Sequence, residues 1–143
     1  MKKYVIEEHD TYRGYEYAIV LQQLGHRCAY INVTGTDLEN VDYMNLEQVP
    51  VHWGLTYSSS TCYGLPEGWW IGWDYAHYGD RVDYESLLFK ISENDTDILN
   101  IKHRMEMDKK FDIAGLIYTQ HMVHKEVQKA IDEMLERGIL NAR

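Results

Sequence analysis

Basic residues are scarce in this chain and unevenly placed. It has 14 Lys and Arg against 23 Asp and Glu, and none of the basic ones lies between Cys28 and Asp80. The formal charge is −9 and the pI about 5.1. A surface of that sign repels phosphate backbones, which argues against direct nucleic-acid binding and favours encounter with a basic protein partner. Cysteine is nearly absent. Cys28 and Cys62 form no CxxC pair, which excludes a thiolate zinc knuckle and a secreted disulfide scaffold and fits a reducing cytoplasm. Only 2 prolines stand beside 45% apolar residues, so collagen-like, low-complexity and disordered classes fall away. No apolar run approaches the roughly 18 residues of a membrane span, and Met1-Lys2-Lys3-Tyr4-Val5-Ile6-Glu7 lacks a signal peptide's apolar stretch. The expectation is a cytoplasmic protein with no membrane partner. Phe is rare too, at 2 against 12 Tyr and 4 Trp, so most rings carry a polar group suited to half-buried sheet faces or a contact surface.

What is present reads as one α+β domain over residues 1–143, mainly an antiparallel β-sheet with a C-terminal amphipathic helix packed on it. Tyr15, Tyr17, Ile19 and Leu21 alternate with Glu16, Ala18 and Val20, Leu24-Gly25 turns the chain, and Arg27 to Val33 returns as the partner strand. Lys3 to Glu7 offers a further strand. Thr34 to Glu47 is an acidic connection with room for one helical turn. Val51, Trp53, Leu55 and Tyr57 alternate with His52, Gly54 and Thr56, and Trp69, Ile71 and Trp73 with Trp70, Gly72 and Asp74, so a second hairpin is expected. The four tryptophans then form core, with Trp70 turned toward the His52 side. Asp80 to Phe111 shows no clear period. Val123, Val127, Ala130, Ile131 and Met134 form one helical stripe, with Thr119 placed as N-cap and Gly138 as the stop.

The chemistry concentrates around the second hairpin. With Tyr57 set opposite Trp69, His52 falls opposite Asp74, and directly opposed side chains on one face stand about 5 Å apart at Cβ. Downstream, Asp74-Tyr75-Ala76-His77-Tyr78-Gly79-Asp80 spaces Asp, His and Asp three apart, and a bend at Gly79 brings them to one side. His52, Asp74, His77 and Asp80 are therefore the candidate metal ligands. Two imidazoles and two carboxylates suit Zn²⁺ best; Mn²⁺ and Ni²⁺ also accept a mixed N/O shell, whereas Ca²⁺ and Mg²⁺ favour fewer imidazoles. The same residues also fit a plainer arrangement, a hydrogen-bonded His–Asp pair closing a hairpin and an aspartate in turn chemistry. Four protein ligands would make a closed, structural site. His121 and His124 have a metal-compatible spacing, but helix packing or solvation accounts for them more simply. Ser58-Ser59-Ser60 lacks a base partner, and neither Cys28 nor Cys62 reads as a nucleophile.

Three segments in order carry a resemblance: Gly25-His26-Arg27-Cys28-Ala29-Tyr30, Val51-His52-Trp53-Gly54-Leu55-Thr56-Tyr57-Ser58, and Trp69 through Asp80. They are similar to the GxRCGYV, HGGLTYS and WWIGFDCAHxGD pattern of small phage and mobile-element proteins. Trp53 replaces the first glycine of the second motif, Ala29 a glycine of the first, and Tyr75 a cysteine of the third. Size, acidity and these motifs also resemble a metal-binding type II-A anti-CRISPR protein. That resemblance implies a non-enzymatic inhibitor that binds a type II CRISPR effector nuclease of the bacterial host and blocks target DNA loading or cleavage. The acidic stretch supplies the expected partner-binding residues, Asp37, Glu39, Asp42 and Glu47, since the effector holds nucleic acid in positively charged channels. The alternative is a metal-dependent hydrolase of a small molecule or nucleotide, with a metal-bound water as nucleophile and Asp80 as base.

Overall fold

A computed structural model describes residues 1–46, 48–111 and 115–143. Alternating segments become a sheet. Among the described residues, β1 (Tyr4–Tyr12), β2 (Tyr15–Gln22), β3 (Arg27–Asn32), β4 (Tyr57–Ser59) and β5 (Trp70–Asp74) form a five-stranded antiparallel sheet in the order β1-β2-β3-β5-β4. A short parallel pair, β6 (Asp80–Arg81) with β7 (Leu116–Ile117), lies apart from it.

Period-two alternation gives each face its own core. Tyr15, Tyr17 and Ile19 of β2, Ala29 and Ile31 of β3, and Ile71 and Trp73 of β5 pack on one side. That side is covered by α3 (Gln120–Glu136), whose Val123, Val127, Ala130, Ile131 and Met134 are all buried, as the helical stripe predicts. Each such aliphatic side chain contributes about 1.5–3 kcal/mol on full burial. Thr119 caps the helix by accepting from the Met122 amide, and the amides of Ile139 and Leu140 both return to the Met134 carbonyl after Gly138. The α+β architecture and its packed C-terminal helix are thus as the sequence implies.

Farther along the same face, Leu21 meets Leu87, Ile91 and Ile101. These come from α1 (Tyr84–Ser86), which runs into a π-helical turn over Leu87–Ile91, and from α2 (Asp95–Lys110). The opposite face buries Val20, Cys28, Tyr30, Cys62 and Trp70. Burial pushes the Cys28 thiol up to about 11 and the Cys62 thiol up to about 12, so both stay protonated and inert at neutral pH. No helix of the described residues is long and apolar enough to cross a membrane.

Two expectations are overturned. Val49 to Thr56 is not a strand, and β4 begins only at Tyr57, which pairs with Gly72 rather than facing Trp69. The backbone explains why: Trp53 and Gly54 both adopt left-handed φ, at +58° and +82°, where an extended strand cannot continue. Asp74 accordingly lies across from Cys28 of β3, not His52. The tryptophans also separate. Trp73 and Trp70 are buried on opposite faces, Trp70 away from His52 and among Val20, Cys28, Tyr30 and Cys62, while Trp53 is 63% exposed.

Gly72 has a specific packing duty. It lies between Tyr30 on β3 and Tyr57 on β4, whose rings meet edge-on at 5.2 Å. A Cβ there would stand 2.4 Å from Tyr30 Cδ1 and 2.8 Å from the Ala29 carbonyl oxygen. The carbonyl belongs to the ladder and cannot yield. Gly72→Ala is expected to cost about 1–3 kcal/mol, read as a lower urea midpoint at unchanged slope.

Candidate metal centre

Three of the four expected ligands converge. His52, His77 and Asp80 each place one ligand atom within 4.8 Å of the others. His52 Nε2 is 3.0 Å from both oxygens of Asp80, and His77 Nδ1 is 3.7 Å from Asp80 Oδ2. Ligands about 2.0–2.2 Å from a tetrahedral ion stand roughly 3.3–3.6 Å from one another, so these separations suit a single small cation.

Each side chain is delivered by a different local device. His52 comes from a turn closed by the Gly54 amide on the Val51 carbonyl. Its ring stacks on Tyr75 at 4.6 Å and meets Tyr118 at 4.7 Å, so two aromatic walls fix its orientation. His77 follows β5 through a turn in which the Ala76 amide donates to Asp74 Oδ1. Asp80 is reached over Gly79, whose φ of +91° a side chain would resist; the Asp80 amide donates to the His77 carbonyl and the His77 amide to Asp80 Oδ2. Pairing of β6 with β7 then holds the Asp80 backbone. The Asp80 side chain is almost completely buried, 3% exposed.

Asp74 stands beside this group but not in it. Its Oδ1 is 3.4 Å from His77 Nδ1, while its Oδ2 accepts from the Thr56 hydroxyl at 2.9 Å. The expected fourth ligand thus shapes the turn and borders the site.

One atom argues that the group has a use beyond hydrogen bonding. His77 Nδ1 is buried and makes no hydrogen bond among the described residues, although it faces two carboxylates. An unpaired buried ring nitrogen costs about 1–3 kcal/mol unless something else satisfies it, and a divalent cation between His52, His77 and Asp80 would do so. Nearby, burial together with the charges of Asp80 and Glu126 raises the Tyr118 hydroxyl above its ordinary range. Burial does the same for Tyr75, assisted by the bond that its hydroxyl donates to Glu126. Both phenols therefore remain neutral walls.

The sequence reading did not identify Tyr75, Tyr118 or Trp53 as parts of this site. Trp53 lies flat on His77, with ring centroids 4.9 Å apart and planes 1° apart. Of the expected partner residues, Asp37, Glu39 and Asp42 are exposed, and Glu47 lies outside the described residues. Asp42 also accepts from the Met44 amide and Glu39 from the Gly35 amide, local turn roles that leave them solvent-facing. His124 is engaged in packing, 2.5 Å from Glu8 Oε2.

Fold and geometry together define an α+β protein carrying a His/His/Asp group able to hold a metal ion. Comparison with protein-family models, curated proteins and solved structures gives no match.

Proposed function

We propose that the chain is a non-enzymatic, phage-derived inhibitor of a type II CRISPR effector nuclease, acting in the cytoplasm of the bacterial host. In this reading one divalent ion, zinc by the donor set, is held by His52, His77 and Asp80 and is structural. It ties the turn before β4 to the bend after β5, two segments with little regular structure of their own. The acidic surface is directed at a positively charged nucleic-acid channel, where it would compete with target DNA.

The observation that carries the reading is the exposure of Asp37, Glu39 and Asp42 on a stretch that holds no Lys or Arg from Cys28 to Asp80. The run carries no base of its own, and the Arg143 guanidinium, bonded to the Thr34 carbonyl, borders it. Reversal of the three charges together (Asp37→Lys, Glu39→Lys, Asp42→Lys) is expected to weaken binding to the guide-loaded effector by about tenfold or more, mainly through slower association that also loses its salt dependence. Unchanged affinity in a variant of normal thermal stability refutes the reading.

A second reading has one observation in its favour. Three gathered ligands, rather than four, match the count of a catalytic zinc with an open position. Against it, none of three clefts gathers the group: one of about 220 Å³ beside His52 includes neither His77 nor Asp80, one of about 370 Å³ includes Asp80 but neither His52 nor His77, and one of about 800 Å³ near α3 includes none of the three. X-ray absorption on zinc-loaded protein separates the readings. A fourth ligand from the protein with no exchangeable water supports the structural site; an exchangeable water together with hydrolytic turnover supports the hydrolase.

A further inference from the structure

Trp53 is the least comfortable side chain on the surface. Its φ of +58° places a bulky residue in the left-handed region, at the third position of the turn closed between Val51 and Gly54, where glycine or asparagine is the ordinary occupant. Strain of this kind persists where the surroundings over-determine it, often at binding sites. The indole is nevertheless 63% exposed, so burial does not offset that strain.

The contact that does hold it is the coplanar stack on His77, 1° off parallel. One indole face is thereby covered by a metal-ligand imidazole, and the other is presented to solvent. Tyr78, next to that same ligand, is 96% exposed. Two exposed aromatic rings thus flank His77 on a segment without Lys or Arg and beside the partly exposed carboxylate of Asp74. A free indole face close to the partly exposed Asp74 carboxylate suits a planar cation. Guanidinium stacks there and keeps its hydrogen bonds to carboxylates in its own plane, which a lysine ammonium cannot do.

We propose that Trp53, held on the His77 ring, is the anchor for an arginine side chain of the basic partner. The inference deepens the inhibitor reading and rests on it for the partner's class, but the arginine preference is its own claim. Tryptophan and tyrosine are the residues that dominate binding energy at interfaces, and an anchor pre-set by a rigid stack loses little rotamer entropy on binding.

The test uses the metal-loaded full chain with nona-arginine and nona-lysine peptides of equal charge, titrated by calorimetry. Wild type is expected to bind nona-arginine about two- to fivefold more tightly than nona-lysine, the size of an exposed cation–π contact. In Trp53→Ala and Trp53→Gly that ratio should fall to one, with metal content held at the wild-type level. Glycine suits the left-handed turn, so the second variant stays informative if the first misfolds. No arginine preference in wild type, or the same preference in both variants, overturns the proposal. The triple charge reversal is the separating control. It should weaken both peptides alike and leave the ratio intact; if both affinities are unchanged while the ratio persists, the acidic-surface reading fails and the Trp53 anchor stands.

Discussion

Replacing His77 by alanine is expected to abolish binding of the proposed divalent ion and to lower the melting temperature of the metal-loaded protein by roughly 10 °C. His77 Nδ1 is the one atom of the group that is buried without a hydrogen bond among the described residues, so the ion's contribution depends on it most directly. Metal present at a thousand times its dissociation constant stabilises a fold by about 4 kcal/mol, and about 1 kcal/mol shifts the midpoint of a domain this size by a few degrees. His52→Ala should release the ion as well and fall somewhat further, because it also removes the ring packed against both Tyr75 and Tyr118. Asp74→Ala should retain most of the metal, since that carboxylate lies outside the group and serves Thr56 and the turn. The measurements are elemental analysis after gel filtration and thermal melts with and without a chelator. Chelation should bring wild type down to the His77→Ala midpoint and leave the variant where it was. A variant that retains one ion per chain, or a wild type indifferent to chelation, ends the case for the site.

Legibility differed by element for physical reasons. α3 could be read because one face is buried and the other is not, so burial writes its period into the residues; the β2–β3 hairpin, buried on both faces, could be read because runs of apolar and aromatic residues are bounded by a turn signal at Leu24-Gly25. Trp70 to Asp74 was legible on the same ground. Val51 to Tyr57 alternates just as cleanly, yet only its last residue is in a strand, because hydropathy does not report the sign of φ at Trp53 and Gly54. His52 consequently reaches its partners from a turn and not from a register. The His77–Asp80 half of the site needed only local geometry, a three-residue spacing and a bend at Gly79, and that half could be read directly. The helices between Tyr84 and Lys110 left little trace in the pattern. In α2 only Asp97 and Ile101 are buried, the π-helical turn breaks the 3.6-residue period, and Phe89 and Leu99 face solvent.

Arg27→Met should be the most damaging single change away from the metal centre, at about 3–5 kcal/mol. Arg27 is a charge at the start of a buried strand, its side chain 2% exposed, and every donor on it has a use. Nε and Nη2 grip both oxygens of Glu7, Nη1 donates to Asp83 and to the Tyr118 carbonyl, and Nη2 also reaches the Ser86 hydroxyl. A β-bulge between Ile6 and Glu8 aims the fully buried Glu7 at it, and Lys90 closes the cluster from the π-helical turn. One guanidinium therefore joins β1, β3, α1 and the entrance to α3, the last through Tyr118, whose ring walls His52. Burial opposes ionisation of Asp83, but the bonds from Arg27 and Ser86 outweigh it and hold the carboxyl below its usual range. A carboxyl depressed in the fold stabilises the protein above its unfolded pKa, and that contribution is lost as pH falls through the lower, folded value. In Arg27→Met the sign reverses: Asp83 becomes a buried carboxylate that has lost its cation, its folded pKa rises, and stability should increase as pH is lowered from 7 toward 5. Adding Glu7→Gln and Asp83→Asn to Arg27→Met should recover most of the loss, because most of the cost is stranded charge rather than a missing ion pair. Urea midpoints across that pH range decide the matter; a single variant whose stability falls with acid as wild type does, and which gains nothing from the two amide substitutions, contradicts this account of the cluster.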